Sequence, residues 1–346
     1  MPDLVARNKQ FLTDLFAGPF RGHGLIMDPD TPPSGMRGDL STGEHPLTLW
    51  RDYWLRDYEV QVTRLEALGD DTVPTALVGT GTQIFAAAFG CPVHIYDDSP
   101  PAALPLVTTA AEADALAVPA VDAGPLGRCW QVAGALRDQL GPGVPIRVPD
   151  IQSPFDIAAL IWKKEAFYMA LLDDPNAVRR LVGKCQELLT SFLKAWREEF
   201  GEVSYAHCPR AWAPPGLGCW LSEDEAGALS VGMFEGFCLP VLSSLSEEFG
   251  GLFVHCCATA DHQYDSFRKV PNLRGLNRVF QAPGPQPAIE AFAGETVLMM
   301  AWVPENQVEE MLAMALPETR FLFNMGAQPL EDAKRTFERL REGCPR

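Results

Sequence analysis

The sequence is short of positive charge. Its 28 Lys and Arg face 45 Asp and Glu, a formal net charge of −17 at pH 7, and a surface of that sign repels phosphate backbones and anionic lipid. Nucleic acid and membrane surfaces are therefore not expected partners, and a substrate bearing many carboxylates is disfavoured unless basic residues are focused in one cleft. Long apolar runs are missing too: no window approaches 18 uninterrupted apolar residues, so no membrane span is expected. The opening MPDLVARNKQFLTDLF carries charges throughout and lacks the apolar stretch of a signal peptide. Nine cysteines, an odd number in a long chain without a visible secretion signal, point to reduced thiols and a cytoplasmic protein. There is no internal repeat, no low-complexity tail, and no G-x-G-x-x-G after the first strand, which leaves a dinucleotide-binding open sheet unsupported.

What is present is a rhythm. Asp174-Pro175 opens a helix whose apolar residues Val178, Leu181, Val182, Cys185, Leu188, Leu189, Phe192 and Trp196 recur at helical spacing until Gly201. A short strand over Val203–His207 follows. Ser222 and Glu225 have the spacing of a capping box, predicting a helix from there toward Phe249. LFVHCC is the next strand and DHQYDSFRKV the next helix. Strands at 273–279, 296–303 and 319–325 then alternate with the helical segments PAIEAFAG, ENQVEEMLAMAL and LEDAKRTFERLREG. Earlier strands are expected at Gly24–Met27, Thr75–Gly79 and Pro145–Ile151, with helices at Leu47–Leu68, Gly127–Leu140 and Asp156–Leu172. Three early and five later strands make eight, and eight β-α units in 346 residues predict a (β/α)8 TIM barrel. A doubly wound open sheet is the alternative. The reading is one barrel domain over 1–346, with an N-terminal extension and an Ala/Pro-rich excursion near 97–125.

One stretch concentrates reactive side chains. LFVHCCATADH holds His255, Cys256, Cys257 and His262, four of the chain's six histidines and nine cysteines. In a strand, residues i and i+2 share a face, so His255 and Cys257 point one way and Cys256 the other. At the carboxyl end of a barrel strand, imidazole and thiolate on one face are natural zinc ligands, although a third is required. The plainer reading is a buried thiol and a histidine satisfying backbone groups. His207 and Cys208 end the preceding strand, and Cys219 follows the Pro214-Pro215-Gly216 turn; any of them could contribute, though core packing suits both cysteines. Asp224 either serves chemistry or reinforces a helix start. Trp302, Asn324 and Met325 fall at strand ends and are candidates to line a substrate pocket.

Several segments together are distinctive. LSEDEAGALSVGMFEGFCLPVLSSLSEEFGGLFVHCC, DIQSPFDIAALIWKKEAFYMALLDDPNAVRRLVGKCQELLTSFLKA and GDDTVPTALVGTGTQIFAAAFG resemble, in this order, passages of the uroporphyrinogen decarboxylase superfamily, over roughly residues 45–340. The resemblance implies a (β/α)8 barrel and one of two activities: cofactor-free decarboxylation of a porphyrinogen, or zinc-dependent methyl transfer from a methylcorrinoid to a thiol. The H-x-C motif belongs to the methyltransferase branch, in which zinc presents the acceptor as a thiolate, and His255 and Cys257 match it. That branch takes its third ligand from a cysteine near the end of strand eight. Here the text is FNMGAQP, with Met325 at that place, and a thioether is a poor zinc ligand. A substitute is expected near the end of strand eight or at His262, with Cys219, Cys208 or a carboxylate as further choices. The arginine-rich MRQAGRY run of the decarboxylases is absent, Gly35-Met-Arg-Gly-Asp39 being no equivalent, and Leu160 replaces their tyrosine.

The sequence thus predicts a methyltransferase with zinc at His255 and Cys257, and possible partnership with a separate corrinoid protein, as monomer or homodimer. Asp71, Asp150, Asp224 and His207 are its catalytic candidates, and Phe155, Trp302, Asn324 and Met325 its substrate-binding ones. A decarboxylase using the same aspartates as proton handlers, and a barrel without catalysis, are the alternatives.

Overall fold

The computed structural model describes residues 1–346 apart from 21, 202, 205–207, 209 and 281–283. Its strands are β1 (Gly24–Met27), β2 (Val93–His94), β3 (Ala102–Ala103), β4 (Ile146–Arg147), β5 (Val203–Ser204), β6 (Cys219–Ser222), β7 (Leu252–Cys256), β8 (Leu273–Arg278), β9 (Val297–Val303) and β10 (Phe321–Met325). Six of them form a parallel sheet in the order β1-β10-β9-β8-β7-β6. These strands are apolar and mostly buried, as expected where helices cover a parallel sheet.

Shorter contacts carry the ring from β6 back to β1. Ser153 N–H donates to Ser222 O (2.7 Å) and Ser222 N–H to Ile151 O (2.9 Å), joining β6 to the chain just after β4. β4 also pairs with β5, so β5 and β6 are two pieces of one barrel position, interrupted by the Pro214-Pro215-Gly216 turn. On its other side β4 meets Ala76, which donates to Pro145 O and accepts from Arg147 N–H. Finally, Asp71 N–H donates to Leu25 O (3.0 Å), while the Asp71 and Asp70 carboxylates accept from Leu25 and Met27 N–H. Eight positions are counted round this ring. The fold is a (β/α)8 barrel, and the open-sheet alternative is set aside.

The early strands are shorter than the sequence suggested. Thr75–Gly79 makes only the bridge at Ala76, and β4 covers two residues, not seven. Pro145 and Pro149 flank β4 without an N–H to donate, and carboxylates replace ladder partners beside β1.

Two helix expectations also change. Ser222 does not open a helix: it ends β6, because pairing of Cys219–Ser222 with Leu252–His255 takes its backbone into the sheet. A 3-10 turn, Asp224–Ala228, follows, and the α-helix begins at Val231, capped by Ser230. The segment expected as one helix over Asp156–Leu172 is two, Pro154–Ile161 and Lys164–Asp173. The break at Trp162 pairs with Val107, in the chain stretch expected as an excursion, and Lys163 N–H donates to Val107 O (2.8 Å). By contrast Leu47–Leu68 and the 26-residue helix Pro175–Phe200 stand as read, the latter capped by Asp174 and stopped at Gly201 (φ 63°).

A helix over Pro2–Ala17 was not foreseen. It buries Phe11, Leu12, Leu15 and Phe16, and Phe16 meets the inward ring of Phe253 edge-on at 4.9 Å. Asn8 donates to Asp70 O and Thr72 O, so this helix lies against the entry to the second barrel position. Among the described residues no helix is long and apolar enough to cross a membrane.

Candidate functional site

β7 delivers three consecutive reactive side chains and then stops. Cys256, its last residue, is fully buried on the packing side, His255 is half-buried, and Cys257 stands exposed just past the strand. The alternation read from LFVHCC holds. β6 ends beside it, with Ser222 level with His255, and the Glu223 N–H donating to His255 O (2.8 Å). That register carries Asp224 over the end of β7. Asp224 Oδ1 accepts from Cys257 N–H (2.7 Å) and lies 4.0 Å from His255 Nε2. One donor atom each from Asp224, His255 and Cys257 falls within 4.8 Å of the others.

Asp224 is held from behind. Asp156, buried at the start of the Pro154–Ile161 helix, accepts from the N–H groups of Asp224 (2.6 Å) and Glu225 (3.1 Å). Burial, and then the charge of Glu223, push the Asp156 carboxyl well above its ordinary range; burial also pushes Glu223 up to about 7. On the other side, His255 Nδ1 lies 2.5 Å from Asn277 Oδ1. The Cys257 thiol is pushed up to about 12, first by burial and then by hydrogen bonding to the Asp224 carboxylate. Beside such a carboxylate the thiol keeps its proton unless a cation joins them; metal coordination deprotonates a thiol outright.

The donor set fits a metal. One imidazole nitrogen, one sulfur and one carboxylate oxygen are a catalytic-type zinc set, with a fourth position left for water or substrate. Zinc bonds to such atoms give donor separations of about 3.3–3.8 Å, so the three groups must close by about 1 Å. Asp224 and Cys257 both lie just beyond strand ends, where side-chain rotation can supply that.

A cleft of about 730 Å³ is lined by none of Asp224, His255 and Cys257 and is linked to them through Cys208. Trp50, Tyr53, Trp54 and Trp302 supply its aromatic wall, and Asp150, Cys208 and Arg210 its polar one. Cys208 joins cleft to cluster: it lines the cleft, and its Sγ lies 3.5 Å from Asn277 Oδ1. Burial, then the carboxylates of Asp150, Asp224 and Asp28, hold its thiol up at about 12. Trp302 enters the cleft by a β-bulge. The β9–β10 register passes from Ala301 to Val303, leaving Trp302 out of the ladder at φ 53°, a left-handed conformation that strains a bulky residue.

The other predicted residues divide sharply. Asp150 and Trp302 line the cleft, and Asp224 lies with His255 and Cys257 in the candidate metal cluster. His207 lies outside the described residues. Asp71 is not in the cleft: it is fully buried between Arg341 (2.7 Å) and Arg346 (2.5 Å), because a strand-start carboxylate faces the chain's C-terminal arginines. Phe155 is core, packed on Phe167, since it faces inward from its helix. Asn324 donates to Asp28 Oδ1 (2.8 Å), and Met325 is fully buried where β10 pairs with β1, so neither lines the cleft. His262 is turned toward Leu229 O (2.9 Å), and Cys219 is buried in β6. Of the third-ligand choices, His262, Cys219 and the strand-eight end are turned elsewhere, and the carboxylate choice is met by Asp224, which lies with His255 and Cys257. Asn277, Asp156 and Arg210 were missed; a lone amide in the apolar run LRGLNRV was the available signal for the first.

Residues 59–212 match the family model described as uroporphyrinogen decarboxylase (URO-D). The fold is similar over nearly the whole chain to a solved methyltransferase from Methanosarcina mazei: TM-score 0.67, 14% identity, 97% of this chain and 98% of that one covered. The family likeness thus covers residues 59–212, under half of the chain, and the likeness to the solved structure is one of fold. Asp224, His255 and Cys257 all lie beyond the stretch that the superfamily model matches, so their roles rest on their own geometry. No curated protein sequence matches the chain.

Proposed function

We propose that this chain is a methyltransferase of the uroporphyrinogen decarboxylase superfamily, in which Asp224, His255 and Cys257 hold zinc and a small thiol is the methyl acceptor. The observation that carries the proposal is the N, S, O donor triad at the carboxyl end of β6 and β7, beside an aromatic cleft. The fold-similar Methanosarcina protein is itself a methyltransferase, which supports the same reading. Zinc bound there would lower the pKa of an acceptor thiol so that it reacts as thiolate. The protein's own groups do the rest. Asp224 is kept in place by Cys257 N–H and by the Asp156 carboxylate that fixes its backbone. The Trp50, Trp54 and Trp302 rings line the cleft in which the acceptor would lie, and Asp150, on its polar wall, is the base this reading assigns to the acceptor's proton. The thiolate sulfur bonds to the methyl carbon, whose former bond breaks with its electron pair left on the donor. A methylcorrinoid, carried by a separate corrinoid protein, is the donor this reading favours, because such a centre leaves with that pair.

The decarboxylase alternative has less behind it. Asp71, one of its proton handlers, is locked between two arginines, and the cleft arginines Arg37 and Arg210 already face Asp97 and Asp57. A substrate with several carboxylates needs free cations.

The test is a zinc titration against a chromophoric chelator, followed by incubation with methylcobalamin and a series of small thiols. One zinc per chain, weakened at least tenfold in Asp224→Asn and Cys257→Ala, with S-methylated thiol by mass spectrometry, is expected. Equal zinc content in Cys257→Ala and the parent would show the cluster to be structural, and zinc binding without any methylated product would sink the methyl-transfer assignment.

A further inference from the structure

We infer that Asn277 is the positioning residue that selects the tautomer of His255 and thereby decides which ring nitrogen is left for a metal. The inference rests on the metal reading above for its consequence, but the tautomer itself is a property of the metal-free chain. Asn277 lies in β8, level with His255 of β7, and is almost fully buried. Its Nδ2 donates to the backbone carbonyl of Met299 on β9, the strand on its other side. A carbonyl oxygen only accepts, so this contact fixes which way the amide is turned. Reversed, Oδ1 would face Met299 O and two acceptors would meet unpaired in a buried site.

With the amide so fixed, Oδ1 faces His255 Nδ1 at 2.5 Å. An amide oxygen cannot donate, so the proton of that hydrogen bond belongs to Nδ1. The neutral ring then carries its lone pair on Nε2, the nitrogen directed at Asp224 Oδ1, 4.0 Å away. A metal-binding histidine is oriented by the bond its other nitrogen makes. Here that bond comes from a neutral amide anchored to a third strand. The Cys208 Sγ, 3.5 Å from the same Oδ1, can place its S–H on the second lone pair, so all of the amide's bonds in the site agree in sense.

The anchor also makes the device rigid. His255, Asn277 and Met299 occupy β7, β8 and β9, three adjacent parallel strands, so ring and amide shift only if the sheet shifts. Cys257 and Asp224, in contrast, lie past their strand ends and can adjust. The imidazole is the fixed reference and the other two donors close on it.

The test uses the full chain, ¹⁵N-labelled and metal-free, at about pH 8.5, where an ordinary imidazole is neutral. Two-bond ¹H–¹⁵N correlations distinguish the tautomers, and His255→Gln assigns the ring. The parent is expected to show His255 as the Nδ1–H form. Asn277→Leu should move it to the Nε2–H form or a mixture and weaken zinc binding about 10–100-fold. Asn277→Asp, which keeps an acceptor in place, should retain the Nδ1–H form and most of the affinity, even if it is less stable. An Nε2–H ring in the parent, or an unchanged Nδ1–H ring in Asn277→Leu, would overturn the inference. Should Asn277→Leu not fold, the parent spectrum and Asn277→Asp still decide it. An Nδ1–H ring in a parent that binds no zinc would leave the inference standing and refute the metal reading.

Discussion

Asp71 stands before a strand position and Asp224 just past the end of one, and the two aspartates have opposite fates. Asp71 is fully buried, and every charge it brings is answered by the fixed guanidinium groups of Arg341 and Arg346. Asp224 is partly exposed and faces an imidazole and a thiol; among the described residues no lysine or arginine pairs with it. A carboxylate with its cations built in holds the fold together. One whose neighbours are neutral donors is ready for a cation from outside. The same contrast runs through their surroundings: His23, at the start of β1, sits among Phe20, Phe321 and Phe323, whereas His255 looks toward Asp224.

The comparison can be broken most directly at Asp71. Asp71→Ala leaves two guanidinium groups half-buried without their partner, and should cost about 3 kcal/mol by chemical denaturation while leaving zinc affinity unchanged. Asp224→Asn should do the reverse. A large stability loss in Asp224→Asn with intact zinc binding would erase the distinction.

The next effect is one of pH, with opposite signs at two places. Burial lowers His23 to about 4, so the folded chain holds it neutral while the unfolded chain protonates it below about 6.5. Its contribution, about 3 kcal/mol, is present above that value and lost as pH falls toward 4. Glu223 is raised to about 7, so the folded chain keeps a proton that the unfolded chain releases above about 4.5; here stability is lost as pH rises toward 7. His23→Gln should flatten the acid side of a Tm–pH profile, and Glu223→Gln should raise Tm at pH 8. Profiles left unchanged by both substitutions would show these groups to be solvated.

A finer cut lies within β7. Cys256→Ala should cost about 1–2 kcal/mol and keep zinc affinity, since its thiol is on the packing side; Cys257→Ala should lose zinc with little change in stability. Swapped outcomes would mean the strand's facing is misread. The smallest effect is expected at Trp302. Trp302→Gly exchanges left-handed strain for backbone entropy, so Tm should stay within about 1 °C, while thiol methylation falls because one wall of the cleft is gone. A large drop in Tm would make Trp302 part of the fold instead of the cleft.

How far the sequence could be read depended on the range of the forces involved. The helices Leu47–Leu68 and Pro175–Phe200 were legible because capping and apolar spacing act within a few residues. The strands from β7 onward were legible because each is a short apolar run between clear helical segments. The capping box at Ser222 and Glu225 misled because a stronger, distant partner, β7, claimed the same backbone. The helix over Asp156–Leu172 broke for the same reason, with Val107 pairing at Trp162.

The sequence by itself determined the barrel, the facing of His255 and Cys257, and the burial of Cys256, all of which follow from local periodicity and the count of alternating units. Only the tertiary structure decided what completes them. Asp224 reaches the pair because β6 and β7 are in register, and Asn277 reaches it because β8 lies on the other side. Neither is near the pair in sequence: 33 residues separate Asp224 from Cys257 and 22 separate Asn277 from His255. Strand order and register arise from packing the whole barrel, which no local pattern encodes, so the Asp224, His255 and Cys257 cluster and its anchor became visible only once the sheet was assembled.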